Sequence, residues 1–238
     1  MATFTDVVKK LQGLKEKGFV KTRRAGPTGI GKTLEDLLDI TENNIPGPDL
    51  NEEIELKSAR KNAGSMVTLF TKSPLPYGVN SILLKELGYV TSESQGEKIL
   101  HTTINGVSFN TLRGEIGLKI DLADDKIIFA CNKKLSTIPY YARSTLQACF
   151  EKKLPKLCFV KAESKGFGDN EEFWFNEAYL LEGFNFTNLI KLVQTGNILV
   201  DIRIGQYLNG RTHDHGTGFR VNPDKLDLCF SKRQNLLD

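Results

Sequence analysis

The residues with the clearest chemical potential lie between positions 48 and 57: Pro48-Asp49, five intervening residues, then Glu55-Leu56-Lys57. Two carboxylates so close in the chain offer hard oxygen ligands to Mg²⁺, an ion that takes one or two carboxylates and keeps several waters. Glu55 and Lys57 are two apart, so on a strand they project from the same face. Lys57 is then placed to orient or deprotonate an attacking water, while a metal stabilises the charge building on a phosphate. Leu56 points the opposite way, into a core, and its carbonyl is a further candidate ligand. The implied chemistry is metal-assisted cleavage of a phosphodiester. The triplet alone is weak evidence, because acid-x-Lys also occurs at Asp124–Lys126, Glu151–Lys153 and Glu163–Lys165. Only Glu55–Lys57 follows an acidic helix, a Pro46-Gly47-Pro48 turn and an upstream acid. The competing reading is a surface strand with a local ion pair.

A second motif overlaps the same region. Gly26–Thr33, GPTGIGKT, fits the P-loop pattern, in which Lys32 would reach phosphates and Thr33 would hold magnesium. Ile198-Leu199-Val200-Asp201, an apolar strand ending in an acid, is a possible partner. A P-loop must follow a buried strand, and Lys21-Thr22-Arg23-Arg24-Ala25 is no core strand. The favoured reading is a basic loop, Lys21–Gly31, ahead of a helix at Thr33–Ile40, with a P-loop NTPase as a distant alternative.

Several elements must position these groups. Phe4, Val7, Val8, Leu11 and Leu14 predict an amphipathic helix capped by Thr3 or Thr5 and ended by Gly18. Strands are expected at Ile54–Ser58 and Met66–Lys72, and a helix at Val79–Leu87 with Gly88 as C-cap. Leu100–Asn110 reads as a hairpin around Asn105-Gly106, and Leu118–Leu122 with Lys126–Asn132 as strands around Asp124-Asp125. A helix at Arg143–Lys153, strands at Lys156–Ala162 and Glu171–Leu181, a helix at Thr187–Gln194 and a strand at Ile198–Ile204 follow. Residues 205–220 read as a long polar loop, and Lys225–Phe230 closes the chain. The pattern is mixed α/β with one principal sheet.

Composition bounds the class. The chain has 238 residues, 39% hydrophobic and 26% charged, an ordinary globular balance that excludes fibrous and disordered classes. The longest clean apolar run, Ile127–Cys131, falls far short of the roughly 18–20 residues of a membrane span. MATFTDVVKKLQ has no signal-peptide apolar region, and the four cysteines form no CxxC pair, so a cytoplasmic protein with reduced thiols is expected. Net charge is only +3, yet Lys9–Arg24 holds seven Lys/Arg against one Glu, and Ala25–Arg60 three Lys/Arg against eight Asp/Glu. A basic arm beside an acidic cluster suits gripping phosphate in one place and a cation in another. Arg23, Arg24, Arg60 and Lys61 are expected as phosphate clamps.

Thr28-Gly29-Ile30-Gly31-x-Thr33-Leu34-Glu35, Glu42-Asn43-Asn44, Asp49 and Glu55-Leu56-Lys57-Ser58 together resemble the MvaI/BcnI-type restriction endonucleases, relatives of the mismatch-repair nickase MutH in the PD-(D/E)xK superfamily. The resemblance continues through Thr68–Pro74, the Leu100–Asn110 segment, Phe173–Tyr179 and His213–Arg220, nearly the whole chain. It also accounts for the P-loop match, since this family carries TGIGxTLE with no nucleotide role. The resemblance implies a PD-(D/E)xK core, a mixed central sheet flanked by helices, divided into lobes around a DNA cleft. A catalytic lobe is expected at about 1–165 and a recognition lobe at about 166–238.

The function so implied is a monomeric type II restriction endonuclease, cutting a CC-N-GG-like pseudopalindrome in double-stranded DNA by sequential nicking. Mg²⁺ is the implied cofactor, with Mn²⁺ able to substitute. Asp49, Glu55 and Lys57 would be catalytic, with Asp49, Glu55 and the Leu56 carbonyl on the metal. Glu35 would be an auxiliary carboxylate that binds a second metal or orients Lys57. Lys72 would approach DNA near the active centre. Arg211, His213, Asp214, His215 and Arg220 suit base reading: Arg and His donate to guanine O6/N7, and an acid accepts from cytosine N4. A His-Asp-His metal site is the alternative there. BcnI-like members carry histidines where this chain has Thr71 and Gly218, which favours an A/T centre. A cognate DNA methyltransferase in the same prokaryotic cell is a functional partner. A MutH-like nickase and a non-catalytic DNA-binding module remain alternatives.

Overall fold

The computed structural model describes residues 3–40, 47–50, 53–61, 64–94 and 96–238. The expected Glu42-Asn43-Asn44 match and Pro46 lie outside the described residues. Along the chain run α1 (Phe4–Lys17), β1 (Val20–Lys21), α2 (Gly29–Leu37), β2 (Ile54–Arg60), β3 (Val67–Thr71), α3 (Val79–Leu87) and β4 (Ile99–Ile104). There follow β5 (Leu118–Leu122), β6 (Lys126–Cys131), β7 (Tyr140–Ala142), α4 (Arg143–Lys153), β8 (Lys156–Lys165) and β9 (Glu172–Glu182). The last elements are α5 (Phe186–Gln194), β10 (Ile198–Gln206), β11 (Thr212–Asp214), β12 (Gly218–Val221) and β13 (Lys232–Asn235).

These elements form two compact units that interleave in sequence. One comprises Met1–Val67, Glu151–Phe184 and Leu226–Asp238; the other, Thr68–Phe150 and Asn185–Lys225. The boundary expected near residue 165 therefore does not follow them: β8 and β9 share a unit with β2, and β4 with β10.

In the first unit a sheet runs β1-β9-β8-β2, with β13 also on β9. β2 lies parallel to β8, pairing Glu55 with Leu157 and Lys57 with Phe159. The period-2 pattern of β2 sends Ile54 and Leu56 into the core and leaves Glu55 and Lys57 on the other face. Helices α1 and α2 cover the core face with Val7, Leu11, Leu14, Ile30 and Leu34, packed among Cys158, Val160, Phe173 and Phe175. Helix α1 begins as expected: Thr3 and Asp6 form a reciprocal capping box, and Gly18 ends the helix at φ 79.

Helix α2 begins earlier than the sequence suggests, at Gly29 rather than Thr33. Gly29 is required there, since a Cβ would lie 2.1 Å from the Arg24 carbonyl oxygen. This geometry rules out the P-loop reading. Thr33 is fully buried, and its hydroxyl accepts the Arg23 backbone N–H at 2.9 Å, while Lys32 pairs with Asp36 at 2.8 Å. Asp201, the possible partner acid, belongs to the other unit.

The second unit holds a sheet ordered β11-β10-β12-β3, with β4 also on β10, and a smaller sheet β5-β6-β7. Among the described residues there is thus no single principal sheet. Two local expectations also change. The Asn105-Gly106 hairpin does not form: Asn105 Oδ1 accepts the N–H groups of Val107 and Ser108 in an Asx turn, and β4 pairs with β10 instead. The supposed loop at 205–220 contains β11 and β12, both antiparallel to β10. Of its polar residues, His213 and Arg220 lie on the sheet face that also carries Asp201 and Arg203, as the register with β10 requires. The opposite face is apolar, with Phe219 stacked on Phe70 at 4.7 Å.

Among the described residues no helix is long and apolar enough to cross a membrane.

Candidate active site and nucleic-acid interface

The catalytic candidates Asp49, Glu55 and Lys57 meet at the start of β2. Leu50 and Ile54 exchange backbone hydrogen bonds, which fold residue 49 back onto the strand. Asp49 Oδ2 then accepts the Leu56 N–H at 2.9 Å. The Lys57 ammonium donates directly to Glu55 Oε1, as two side chains on one strand face can. Burial raises the Glu55 carboxyl above its ordinary range; Asp49 adds to the rise, while Lys57 and Lys153 draw it back. Lys153, at the end of α4, is a contributor that sequence reasoning missed. Its own Glu151-x-Lys153 triplet reads only as a helix end.

Glu35 and Lys57 line one cavity of 330 Å³, together with Leu56, Ser58, Arg24 and Lys32. The helix acid, the strand lysine and the basic loop are thereby brought to one hollow. The carboxylates fit a hard divalent cation. Asp49 and Glu55 are close enough to repel each other, and Glu55 is buried beside a lysine, so a cation between them would relieve a cost already present.

The expected phosphate clamps divide. Arg23 and Arg24 are exposed on the loop before α2. Arg60 instead makes a two-pronged ion pair with Glu171, at 2.6 and 2.7 Å, and lies over the Phe173 ring. Its guanidinium also donates to the Gly26 and Pro27 carbonyls, tethering the basic loop. Lys61 pairs with Glu177 at 2.7 Å and with Glu163 at 3.5 Å. Both are occupied structurally, which the sequence could not show because their acids come from distant strands.

The second unit assembles a polar sheet face. Along β10, Ile198, Val200, Ile202 and Ile204 are buried in the core, so Asp201, Arg203 and Gly205 share the opposite face. Cross-strand pairing sets Thr103 beside Asp201, His101 beside Arg203, and His213 beside Gly205. Asp201 is 1% exposed. It accepts from the Thr103 hydroxyl at 2.8 Å and from Arg203 Nε at 2.7 Å, and Arg220 Nε lies 3.0 Å away, off the hydrogen-bonding direction. Burial lowers the Arg220 pKa, and Arg203 lowers it further against the pull of Asp201. One buried carboxylate thus aims two guanidinium groups, an arrangement suited to reading guanine edges.

Asp201, Arg203, His101 and Thr103 were missed as part of this face. The signal was available in Ile-Leu-Val-Asp-Ile-Arg-Ile, where acid and base recur at period 2 between apolar residues.

The expected readers at 211–220 also divide. Asp214 Oδ1 accepts the Gly216 and Thr217 N–H groups, and Oδ2 accepts from Ser73 and Asn80. It is the keystone of the 214–217 turn, with its acceptor positions already engaged. Lys72 is fixed beside this turn, its N–H bonded to the Thr217 carbonyl. Thr71 and Gly218 are neighbours: a Cβ on Gly218 would lie 2.7 Å from the Phe70 carbonyl and 3.1 Å from Thr71 Cγ2.

The three histidines gather on this face. His213 and His215 rings lie 3.8 Å apart, His101 and His215 6.1 Å, and His213 stacks on Tyr207. Among the described residues no cluster of three His, Cys, Asp or Glu side chains takes a metal-binding arrangement, consistent with Asp214 serving its own turn. Burial lowers the pKa of His101, as does Arg203; burial and His213 lower that of His215. A histidine with a depressed folded pKa binds protons more readily when unfolded, so stability falls as pH drops through its ordinary value toward the folded one. Melting temperature is expected to drop between pH 7 and pH 5.5, and His101→Gln to shrink that drop. An identical pH dependence in the variant would remove His101 from the account.

Comparison with known proteins bears on the family and the fold. The sequence model of the MvaI/BcnI restriction endonuclease family matches residues 8–230. A search of curated proteins returned no match. Among solved structures, the restriction endonuclease MvaI in complex with its cognate DNA substrate is similar at 33% identity and TM-score 0.88, over 99% of each chain. MvaI in the absence of DNA is similar at 32% identity and TM-score 0.60, over 99% of this chain and 98% of that one. These matches carry with them the PD-(D/E)xK-type fold, and the chain belongs to the MvaI/BcnI restriction endonuclease family, type II site-specific deoxyribonucleases.

Proposed function

We propose that this chain hydrolyses double-stranded DNA in a Mg²⁺-dependent reaction at a CC-N-GG-like sequence, working as a monomer that nicks one strand and then the other. The observation that carries the reading is the Asp49–Glu55–Lys57 cluster at the start of β2, with Glu35 lining one cavity together with Lys57. Bound Mg²⁺ supplies Lewis-acid stabilisation of charge at the phosphate. Asp49 and Glu55 would hold it, with the Leu56 carbonyl as a further candidate ligand. Lys57 orients the water that attacks phosphorus as the P–O bond to the leaving oxygen breaks. Mn²⁺ would serve the same carboxylates. Glu35 positions Lys57 from across the hollow.

The solved MvaI–cognate DNA complex supports DNA as the partner. The polar face bearing Arg203, Arg220, His213 and His215 supports reading of G·C pairs through guanine acceptors. Threonine and glycine at positions 71 and 218 favour an A/T central pair. In a monomer, one such cluster among the described residues would meet the two antiparallel strands in turn, which supports sequential nicking. In a prokaryotic cytoplasm the host genome would then need a cognate methyltransferase.

Supercoiled phage DNA incubated with the protein and Mg²⁺ should give discrete fragments, absent with EDTA. Plasmid should pass through open circles before linear product. Accumulation of nicked circles alone would mark a MutH-like nickase. A simultaneous two-strand cut, rising steeply with protein concentration, would mark a dimer. Among the four central pairs, preferential cutting of C/G would overturn the A/T assignment.

A further inference from the structure

One hollow of the second unit is not used by the site described above. It is an open cavity of 610 Å³ between the C-terminal half of α3 and the β10–β11 turn. Its lining includes three cations, Lys85, Lys98 and Arg211, and the neutral hydrogen-bonding groups of Ser81, Gln206 and Thr212. Among the described residues no carboxylate lines it. All three cations are exposed, and none has an ion-pair partner within 4.0 Å among the described residues. Glu86, the next residue after Lys85, is turned to Ser136, whose N–H and hydroxyl it accepts. Glu97 borders an adjoining hollow with Arg211 and His213.

Three like charges from three separate chain segments are thus held around one concavity. The Lys98 ammonium lies 3.5 Å from the Lys85 carbonyl, so the two lysines are neighbours across the rim. Such a site attracts a multivalent anion, and the surrounding hydroxyl and amide donors suit phosphate oxygens. Placement identifies the source. Arg211 stands two residues before His213, about 7 Å along an extended chain. A duplex whose base edges meet His213 would therefore bring its backbone over Arg211.

We propose that this hollow grips the sugar–phosphate backbone of duplex flanking the recognition sequence, with Lys85, Lys98 and Arg211 as phosphate contacts. The proposal rests on the nuclease reading above. It moves Arg211 from the base readers to the backbone contacts, which carry affinity without sequence information.

The test is duplex binding without Mg²⁺, measured against salt for the wild type and for Lys85→Ala/Lys98→Ala/Arg211→Gln. Every phosphate that the protein neutralises adds about 0.9 to the steepness of log K against log salt, so the triple variant should be shallower by roughly 2 to 3. Affinity for cognate and non-cognate duplexes should fall by the same factor, leaving their ratio unchanged. A duplex trimmed to the recognition sequence should bind both proteins alike. Three outcomes overturn the proposal: an unchanged slope in a variant with wild-type melting temperature, a weakening confined to cognate DNA, or a weakening that persists on the trimmed duplex. Saturable pyrophosphate binding at the hollow, with no change in DNA slope, would assign it to a free phosphate compound instead. Because these residues are exposed, single substitutions provide folded variants if the triple one fails to fold. Wild-type protein that neither binds nor cuts DNA would instead refute the nuclease reading itself.

Discussion

Asp49→Asn is expected to retain the fold and lose cleavage by roughly 10³-fold, equivalent to about 4 kcal/mol of transition-state stabilisation. The substitution keeps an oxygen to accept the Leu56 N–H, which Asp49 Oδ2 now accepts at 2.9 Å. What it removes is the negative charge. Asp49→Ala removes both, so the difference in stability between the two variants isolates the hydrogen bond, worth about 1 kcal/mol. Lys57→Ala is expected to cause a loss of similar size for a different reason. Glu55 would then be left buried without its adjacent cation, and its carboxyl would rise further above the ordinary range, because burial is already the leading cause of the shift. Single-turnover cleavage of a cognate duplex at saturating protein reads the effect apart from binding. Retention of more than about a tenth of wild-type rate in Asp49→Asn would remove that carboxylate from the reaction.

Asp201→Ala is expected to have the largest effect on stability, about 3–5 kcal/mol, because it strips a buried carboxylate from two guanidinium groups. Asp201 is 1% exposed, and the Thr103 hydroxyl, Arg203 and Arg220 all converge on it. Burial already lowers the Arg220 pKa, and loss of Asp201 would remove the attraction that opposes this. Denaturant unfolding measures the stability loss. Arg203→Lys is the companion that separates folding from reading. Lysine keeps the charge beside Asp201 but cannot reproduce the planar fork of arginine. It should therefore melt near the wild type yet discriminate less against a substituted G·C pair, by about 1–3 kcal/mol per pair. An Arg203→Lys variant with unaltered discrimination would mean that the pair serves the fold alone.

The two predictions differ in how much of their basis could be seen in the chain. The candidate catalytic cluster was legible because its parts are close in sequence. Glu55 and Lys57 need only the period of a strand to meet, and Asp49 only a short turn. The helix that carries Glu35 was legible from its apolar spacing, whereas the role of Glu35 came only from the resemblance. The amphipathic helix at Phe4–Lys17, with its cap and terminating glycine, was legible for the same local reason. So was the strand carrying Asp201, though only as apolar periodicity.

Sequence alone therefore determined most of the helices and strands, the candidate catalytic triplet and, through motifs spread along the chain, the family. Tertiary structure decided which charges are free and which are engaged. Arg60 looks like a phosphate clamp until Glu171, from another strand, closes on it. Asp214 looks like a base reader until Ser73 and Asn80 occupy it. Asp201, Arg203 and Arg220 form one group only because antiparallel pairing brings β12 beside β10. The physical reason is range. Period and capping act over a few residues, whereas an ion pair or a cross-strand neighbour depends on which distant segment the sheet brings alongside.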